Sequence, residues 1–352
     1  MGRKLPTRNG TGKKNLSISI IKMRYILFAV LACLLAACGG KSRSNSGGAD
    51  TIALAPCPTF NADTCMKYIQ EQCKFGPRVT GSKESVLCKQ YIVDQFKRLG
   101  TVVEEQPCKV TIWDSSELSA CNVIAKLNPG NTDRILFCAH WDSRPWADND
   151  EDEKNHHTPV LAANDGASGV AVMMELCRLL QQKPVKVGID FVCFDAEDLG
   201  TPQWAETEES TSETWCLGSK FWAEHAREEG YRARFGVLLD MVGGRGSVFP
   251  AERVSQELAQ PIVSLIWRLG NQIGYGHYFP LNKEGGFLMD DHVNVNRIAR
   301  IPCIDIVPNF TDGPSSFGPT WHTVNDTPDN IDPNVLEAVG QTLTQLIYNE
   351  EL

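Results

Sequence analysis

The chain reads as an α/β protein, a single domain with a mixed, largely parallel sheet and helices on both faces. Two observations predict this. Strands too apolar for a one-sided sheet alternate with amphipathic helices, the pattern of a sheet covered on both faces. The strands also end in acids or histidines. Val187-Gly-Ile-Asp-Phe-Val-Cys-Phe-Asp-Ala-Glu-Asp-Leu-Gly200 is apolar apart from Asp190 until it reaches Asp195, Glu197 and Asp198. In open α/β sheets the ligand crevice lies beyond the carboxyl ends of the strands, so these three acids are expected to face a site.

The first residues precede the fold. From Met23 a basic start leads into a short apolar core and the ending Leu35-Ala36-Ala37-Cys38, the pattern of an exported lipoprotein. Residues 1–37 are expected to be a signal peptide, with Met23 an alternative start. Cys38 would carry lipid, and 38–56, rich in Gly, Ser and Asn, would be a flexible tether to a bacterial membrane, facing the periplasm or the cell surface. Residues 57–352 remain as the catalytic domain. The leader holds seven of the 34 basic residues and no acidic one, so the mature chain has 27 against 43 and a net charge of −16. That balance excludes nucleic acid as a partner. Eleven cysteines lie beyond Cys38, an odd number, and no CxxC pair suggests a structural zinc. Cys57, Cys65, Cys73, Cys88 and Cys108 are candidates for bridges in an exported protein.

Residues 61–74 and 83–99 have helical periodicity and are joined by the Gly/Pro loop 75–81. Strands follow at 102–111 and 122–127, and Asn128-Pro-Gly130 turns the chain into a strand ending at His140 and Asp142. Residues 148–152 are acidic and read as a solvated surface. Asp165 stands at the start of a helix running through Leu180. After the acids, 201–214 is a polar insertion holding Trp204, and Gly218-Ser219-Lys220 opens a helix to Glu229. A third apolar strand ends at Asp240. Residues 252–273 read as a helix despite Pro261. Asp290-Asp291-His292 precedes a further helix, 301–308 is the last strand, Trp321-His322 lies in the loop after it, and 332–348 is a closing helix.

His140, Asp165, Glu197-Asp198, Asp240 and His322 thus each follow a strand or flank a helix start, which brings them to one rim. Imidazole and carboxylate together are the donor set of catalytic zinc, and a carboxylate left over beside a ligand is a natural general base.

The order His-x-Asp, Asp, Glu-Asp, Asp, His resembles the zinc-dependent metallo-aminopeptidase clan. Trp321 before His322, Asp290-Asp291-His292, Trp204 and Gly218-Ser219-Lys220 are most similar to its glutaminyl-peptide cyclotransferases. The resemblance implies one zinc per chain on Asp165, Asp198 and His322, with Glu197 as acid/base and Asp240 and Asp290 as a hydrogen-bonded acidic pair. Trp321 and Trp204 would line the substrate pocket, and His140 matches a second-metal ligand of the aminopeptidases. The implied substrates are peptides or exported proteins with N-terminal glutamine, converted to pyroglutamate with release of ammonia. Asp198 stands where the clan has Glu, and Ala139 and Val170 occupy the positions of a disulfide carried by the animal enzymes. The alternatives are a two-zinc aminopeptidase and a non-catalytic, lipid-anchored binding protein on the same scaffold.

Overall fold

The computed structural model describes residues 51–207, 212–313 and 315–350. The expected leader, the lipidation site Cys38 and most of the tether lie outside the described residues. The end of the tether belongs to the fold. Ile52 N donates to Gln272 Oε1 at 2.8 Å and Ala55 N to Asn349 Oδ1 at 2.9 Å, so the compact unit is Ile52–Leu352 and begins five residues before Cys57.

One sheet carries β1 (Val102–Thr111), β2 (Glu117–Leu127), β3 (Arg134–His140), β4 (Gly188–Phe194), β5 (Gly236–Leu239) and β6 (Cys303–Ile306) in the order β1-β2-β4-β3-β5-β6. The last four strands are mutually parallel, whereas β1 and β2 form an antiparallel hairpin and β2 joins β4 antiparallel. β2 starts five residues earlier than its apolar pattern indicates. Its first residues pair only with β1 beyond the body of the sheet, where polar side chains face water.

The helices are α1 (Ala62–Cys73), α2 (Lys83–Arg98), α3 (Ala167–Gln182), α4 (Leu217–Glu228), α5 (Arg253–Gln272), α6 (Asp291–Arg297) and α7 (Pro333–Asn349). Alternation along the strands divides them between two faces. Ile135, Phe137, Ala139, Ile189, Phe191 and Cys193 pack with α1, α2, α3, α5 and α7. Leu136, Cys138, Val192 and Phe194 pack on the other side with α4 and α6. Within α5 the helical conformation breaks at Ala259 (φ −143°, ψ 33°), two residues before Pro261. Proline removes an N–H donor and crowds the preceding turn, which accounts for the break.

Asp190, the acid inside the apolar run of β4, is buried and held. Arg134 Nε and Nη2 donate to its two oxygens at 2.6 and 2.7 Å, and Tyr231 Oη donates at 2.5 Å. A buried carboxylate is tolerable on these terms, with a guanidinium fork and a further hydrogen bond. All eleven described cysteines are free, so the expected bridges among the first five are not formed. Cys65, Cys73, Cys88 and Cys108 are instead packed as small apolar side chains.

α3 sits unusually close to the sheet. A Cβ on Gly169 would lie 2.2 Å from Leu239 O and 2.7 Å from Ala139 Cβ, at the ends of β5 and β3. Only glycine permits this approach, which sets the start of α3 beside His140 and Asp240. Gly169→Ala is expected to lower stability by about 1–3 kcal/mol, the cost of overpacking a close contact. A urea midpoint unchanged from the parent would show that α3 is not seated by this contact.

Candidate metal and active site

Parallel strands deliver the site. β3 ends in His140, β4 leads into Asp195–Asp198, and Asp240 follows β5 directly. Asp165 comes just before Gly166, the N-cap of α3, which has φ 112°. A Cβ there would meet His140 Cε1 at 2.8 Å, so that glycine lets the helix start close over the imidazole. His322 comes from the loop before α7, with φ 54°.

These side chains form two groups that share Asp165. In the first, His322 Nε2 lies 3.1 Å from Asp198 Oδ1 and 3.6 Å from Asp165 Oδ2. In the second, His140 Nε2 lies 2.9 Å from Asp165 Oδ1 and 3.2 Å from Asp240 Oδ1. In each group one ligand atom from every residue lies within 4.8 Å of the others. Both oxygens of Asp198, Oδ1 of Asp240 and both nitrogens of His140 are buried and make no hydrogen bond. Buried polar atoms without partners are rare because desolvation is costly, and clustered oxygen and imidazole donors of this kind suit a zinc ion.

Neighbouring residues fix these donors. Asp142, alongside His140, accepts from Glu197 N and Asp198 N, each at 3.1 Å, and so clamps the turn that carries both acids. Asp326 does the same beneath Asp165, accepting from Asn164 N at 2.7 Å and Asp165 N at 3.0 Å. Asp148 Oδ1 lies 3.5 Å from His322 Nδ1, which leaves Nε2 directed at Asp198 and Asp165. Asp148 was expected on a solvated surface, yet it is 1% exposed. Arg144 explains this, donating through Nε and Nη2 to the two Asp148 oxygens at 3.1 and 2.6 Å.

Asp195, expected to face the site, turns away from it. Its carboxylate accepts from Thr80 Oγ1, Cys121 N and Ala196 N, and ties β4 to β2. The expected Asp240–Asp290 hydrogen bond is also replaced. Asp290 accepts from Asp291 N at 2.5 Å, and its charge bears on Asp240 from nearby. Asp305, inside an apolar strand, carries no sequence signal of a site.

Glu197 lies at the edge of both groups, its side chain 14% exposed and Oε2 3.9 Å from His140 Nδ1. Burial pushes its carboxyl well above the usual range. The charge on His140 opposes this, and those on Asp198, Asp290 and Asp291 add to it. Burial likewise carries Asp240 to about 7, against the opposing pull of the His140 ring 3.2 Å away. For His322 burial disfavours the charged ring, but Asp198 and Asp148 outweigh it and lift the imidazole to about 9.

The acids line a cavity of about 450 Å³, a size suited to a small ligand. Its apolar wall includes Trp321, Trp215, Phe317, Leu288 and Met289. Trp321 stacks on His322 with centroids 3.8 Å apart, and the Trp215 ring is parallel to His322 at 6.0 Å. Trp204 does not line the cavity. It is 44% exposed and packs on Trp146 and His157. Trp215 takes the wall position, with Arg144 over its ring 4.6 Å from the centroid. Nothing in the spacing of the 201–214 insertion and the residue after it distinguishes the two tryptophans.

Residues 122–347 match peptidase family M28. Bacteroides thetaiotaomicron glutaminyl cyclase, solved bound to N-acetylhistamine, is 47% identical with a TM-score of 0.80, covering 84% of this chain and 99% of that one. A Zn-dependent exopeptidase from Parabacteroides distasonis is 41% identical with the same TM-score, covering 84% and 100%. The glutaminyl-peptide cyclotransferase of Gloydius blomhoffii is 25% identical over 299 residues, 76% of this chain and 75% of that protein. The matched segment holds every strand end and helix start that contributes a donor to the site, and the chain belongs to peptidase family M28.

Proposed function

We propose that the chain is a zinc-dependent glutaminyl cyclase, closing N-terminal glutamine of peptides to pyroglutamate with release of ammonia. The carrying observation is the buried group Asp165, Asp198 and His322 with Glu197 beside it, opening into an aromatic-walled cavity. The likeness to glutaminyl cyclases over nearly their whole length supports the same reading.

In this reading Asp165, Asp198 and His322 hold one zinc ion, which when bound supplies Lewis acidity toward the γ-carbonyl oxygen of the substrate. Asp198 is one methylene shorter than glutamate, and its two oxygens are both free of hydrogen bonds to serve as ligands. Trp321 and Trp215 hold the glutamine side chain. The α-amine nitrogen bonds to the γ-carbon, and the bond from that carbon to the amide nitrogen breaks. Glu197 accepts the proton lost by the amine and gives it to the departing nitrogen, which leaves as ammonia, so the residue ends as it began. Its raised pKa suits it to hold the proton between the two transfers. Asp240, facing the same cavity, accepts a hydrogen bond from the attacking amine.

A two-zinc aminopeptidase is the second reading, favoured by the His140, Asp165 and Asp240 group. A Gln-initiated and a Leu-initiated dipeptide assayed on one preparation separate the two. Ammonia from the first without hydrolysis of the second is expected, and the reverse overturns the cyclase reading. On the same substrate Glu197→Gln is expected to retain its zinc while cyclisation falls by roughly 10²–10⁴-fold, the usual contribution of a general acid–base group. Asp198→Ala should lose the metal. A metal-free Glu197→Gln beside a zinc-loaded Asp198→Ala would reverse the two roles.

The N-terminal pattern supports export as a lipoprotein held on a bacterial membrane through Cys38. Cys38→Ser should move the protein from the membrane to the soluble fraction. Retention equal to the parent counts against the anchor.

A further inference from the structure

The floor of the cavity holds a third donor group, separate from both groups around Asp165. Glu197, Cys216 and Asp290 each offer an atom within 4.8 Å of the others, and all three line the cavity. The thiol is held in place. Cys216 Sγ lies 3.4 Å from Glu197 Oε1, Cys216 N donates to Glu197 O at 2.9 Å, and Leu217 N donates to Ala196 O at 3.0 Å. Cys216 takes φ 55°, a left-handed conformation uncommon for a residue with a side chain. The backbone is therefore lashed in the one conformation that brings the sulfur to the carboxylate.

A second observation concerns the surrounding donors. Asp291 is fully buried, neither of its oxygens has a hydrogen-bond partner, and it bears electrostatically on both Glu197 and Cys216. The nearby hydroxyl of Ser219 spends its proton on Cys216 O at 3.0 Å. Asn294 Nδ2 donates to the same carbonyl and to Ser219 Oγ, at 3.1 and 3.0 Å. Ser219 and Asn294 thus spend these donors on neutral acceptors, and the buried Asp291 carboxylate is left unpaired while its charge bears on the thiol and on Glu197. A cation answers this arrangement, and sulfur with carboxylate oxygen selects a borderline-soft ion over magnesium or calcium.

We propose that Cys216, Glu197 and Asp290 form a second, inhibitory zinc site at the floor of the cavity. Binding there releases the thiol proton to solvent and forms a sulfur–metal bond, so the balance needs no other reactant. It also engages the Glu197 carboxylate, so excess zinc occupies the group that the proposed cyclisation uses. The site itself does not rest on the cyclase reading, since it is read without substrate.

The test is a cobalt titration of the full chain carrying its first equivalent of zinc. A near-ultraviolet sulfur-to-cobalt charge-transfer band should grow with one further equivalent of Co²⁺, and Cys216→Ser should abolish it while keeping the first metal. Asp290→Asn, which leaves the thiol in place, should weaken the second equivalent by roughly tenfold or more, in line with the loss of one of three ligands. Absence of the band in the parent would overturn the proposal. So would a second equivalent that binds without the band and is unaffected by Cys216→Ser, because that ion would belong to His140, Asp165 and Asp240.

Discussion

Everything around the rim depends on keeping a crowd of buried carboxylates from repelling one another. Like charges in a poorly screened interior interact several-fold more strongly than in water. The fold answers in three ways. Backbone amides hold Asp142, Asp195 and Asp326. Guanidinium groups hold Asp190 and Asp148. Imidazoles hold Asp165 and Asp198 at ion-pair distance. Acids with fixed partners are scaffold, and buried oxygens without a partner remain on Asp198, Asp240, Asp291 and Asp305, the first two of which line the cavity. The division between structure and chemistry in this chain is a division between satisfied and unsatisfied oxygen.

Most of this rim was legible in the sequence because a single rule carries it: an apolar strand in a parallel sheet ends at the crevice. His140, Glu197, Asp198 and Asp240 follow from that rule, and Asp165 from its place before α3. The rule fails where side-chain direction matters. Asp195 occupies the right strand end but points back toward Thr80 and Cys121, since successive residues alternate in direction. Asp148 looked solvated because its partners Arg144 and His322 are four and 174 residues away, and burial of a charge cannot be read without its partner. Asp305 and Asp326 carry no local signature for the same reason. Trp204 lies within the 201–214 insertion and Trp215 directly after it, and only the second lines the cavity, beside Arg144.

Several residues at this rim share an unfavourable backbone. Ala196, Cys216, Met241 and His322 have φ of 58°, 55°, 51° and 54°. Such conformations cost on the order of 1–3 kcal/mol each and persist where the surroundings impose them. At Ala196 and Cys216 the surroundings are the hydrogen bonds that Asp142 accepts from Glu197 N and Asp198 N and those from 216–217 to 196–197. Cys216, Met241 and His322 themselves line the cavity, and Ala196 directly precedes Glu197, which does so as well.

The first described residues have a bearing on how the molecule can be handled. Crossover helices run back against a parallel sheet, so α3, α5 and α7 finish beside the starts of the strands, while the cavity lies beyond the strand ends. Ile52, Ala55 and Pro56 bond to Gln272, Asn349 and Lys183, at or just after the ends of those three helices. The chain therefore enters the fold at the pole opposite the cavity mouth. A resin, a fluorophore or a fusion partner coupled at that pole leaves the mouth open to solution, whereas one placed at Ser212 or Glu213 stands in the cavity lining.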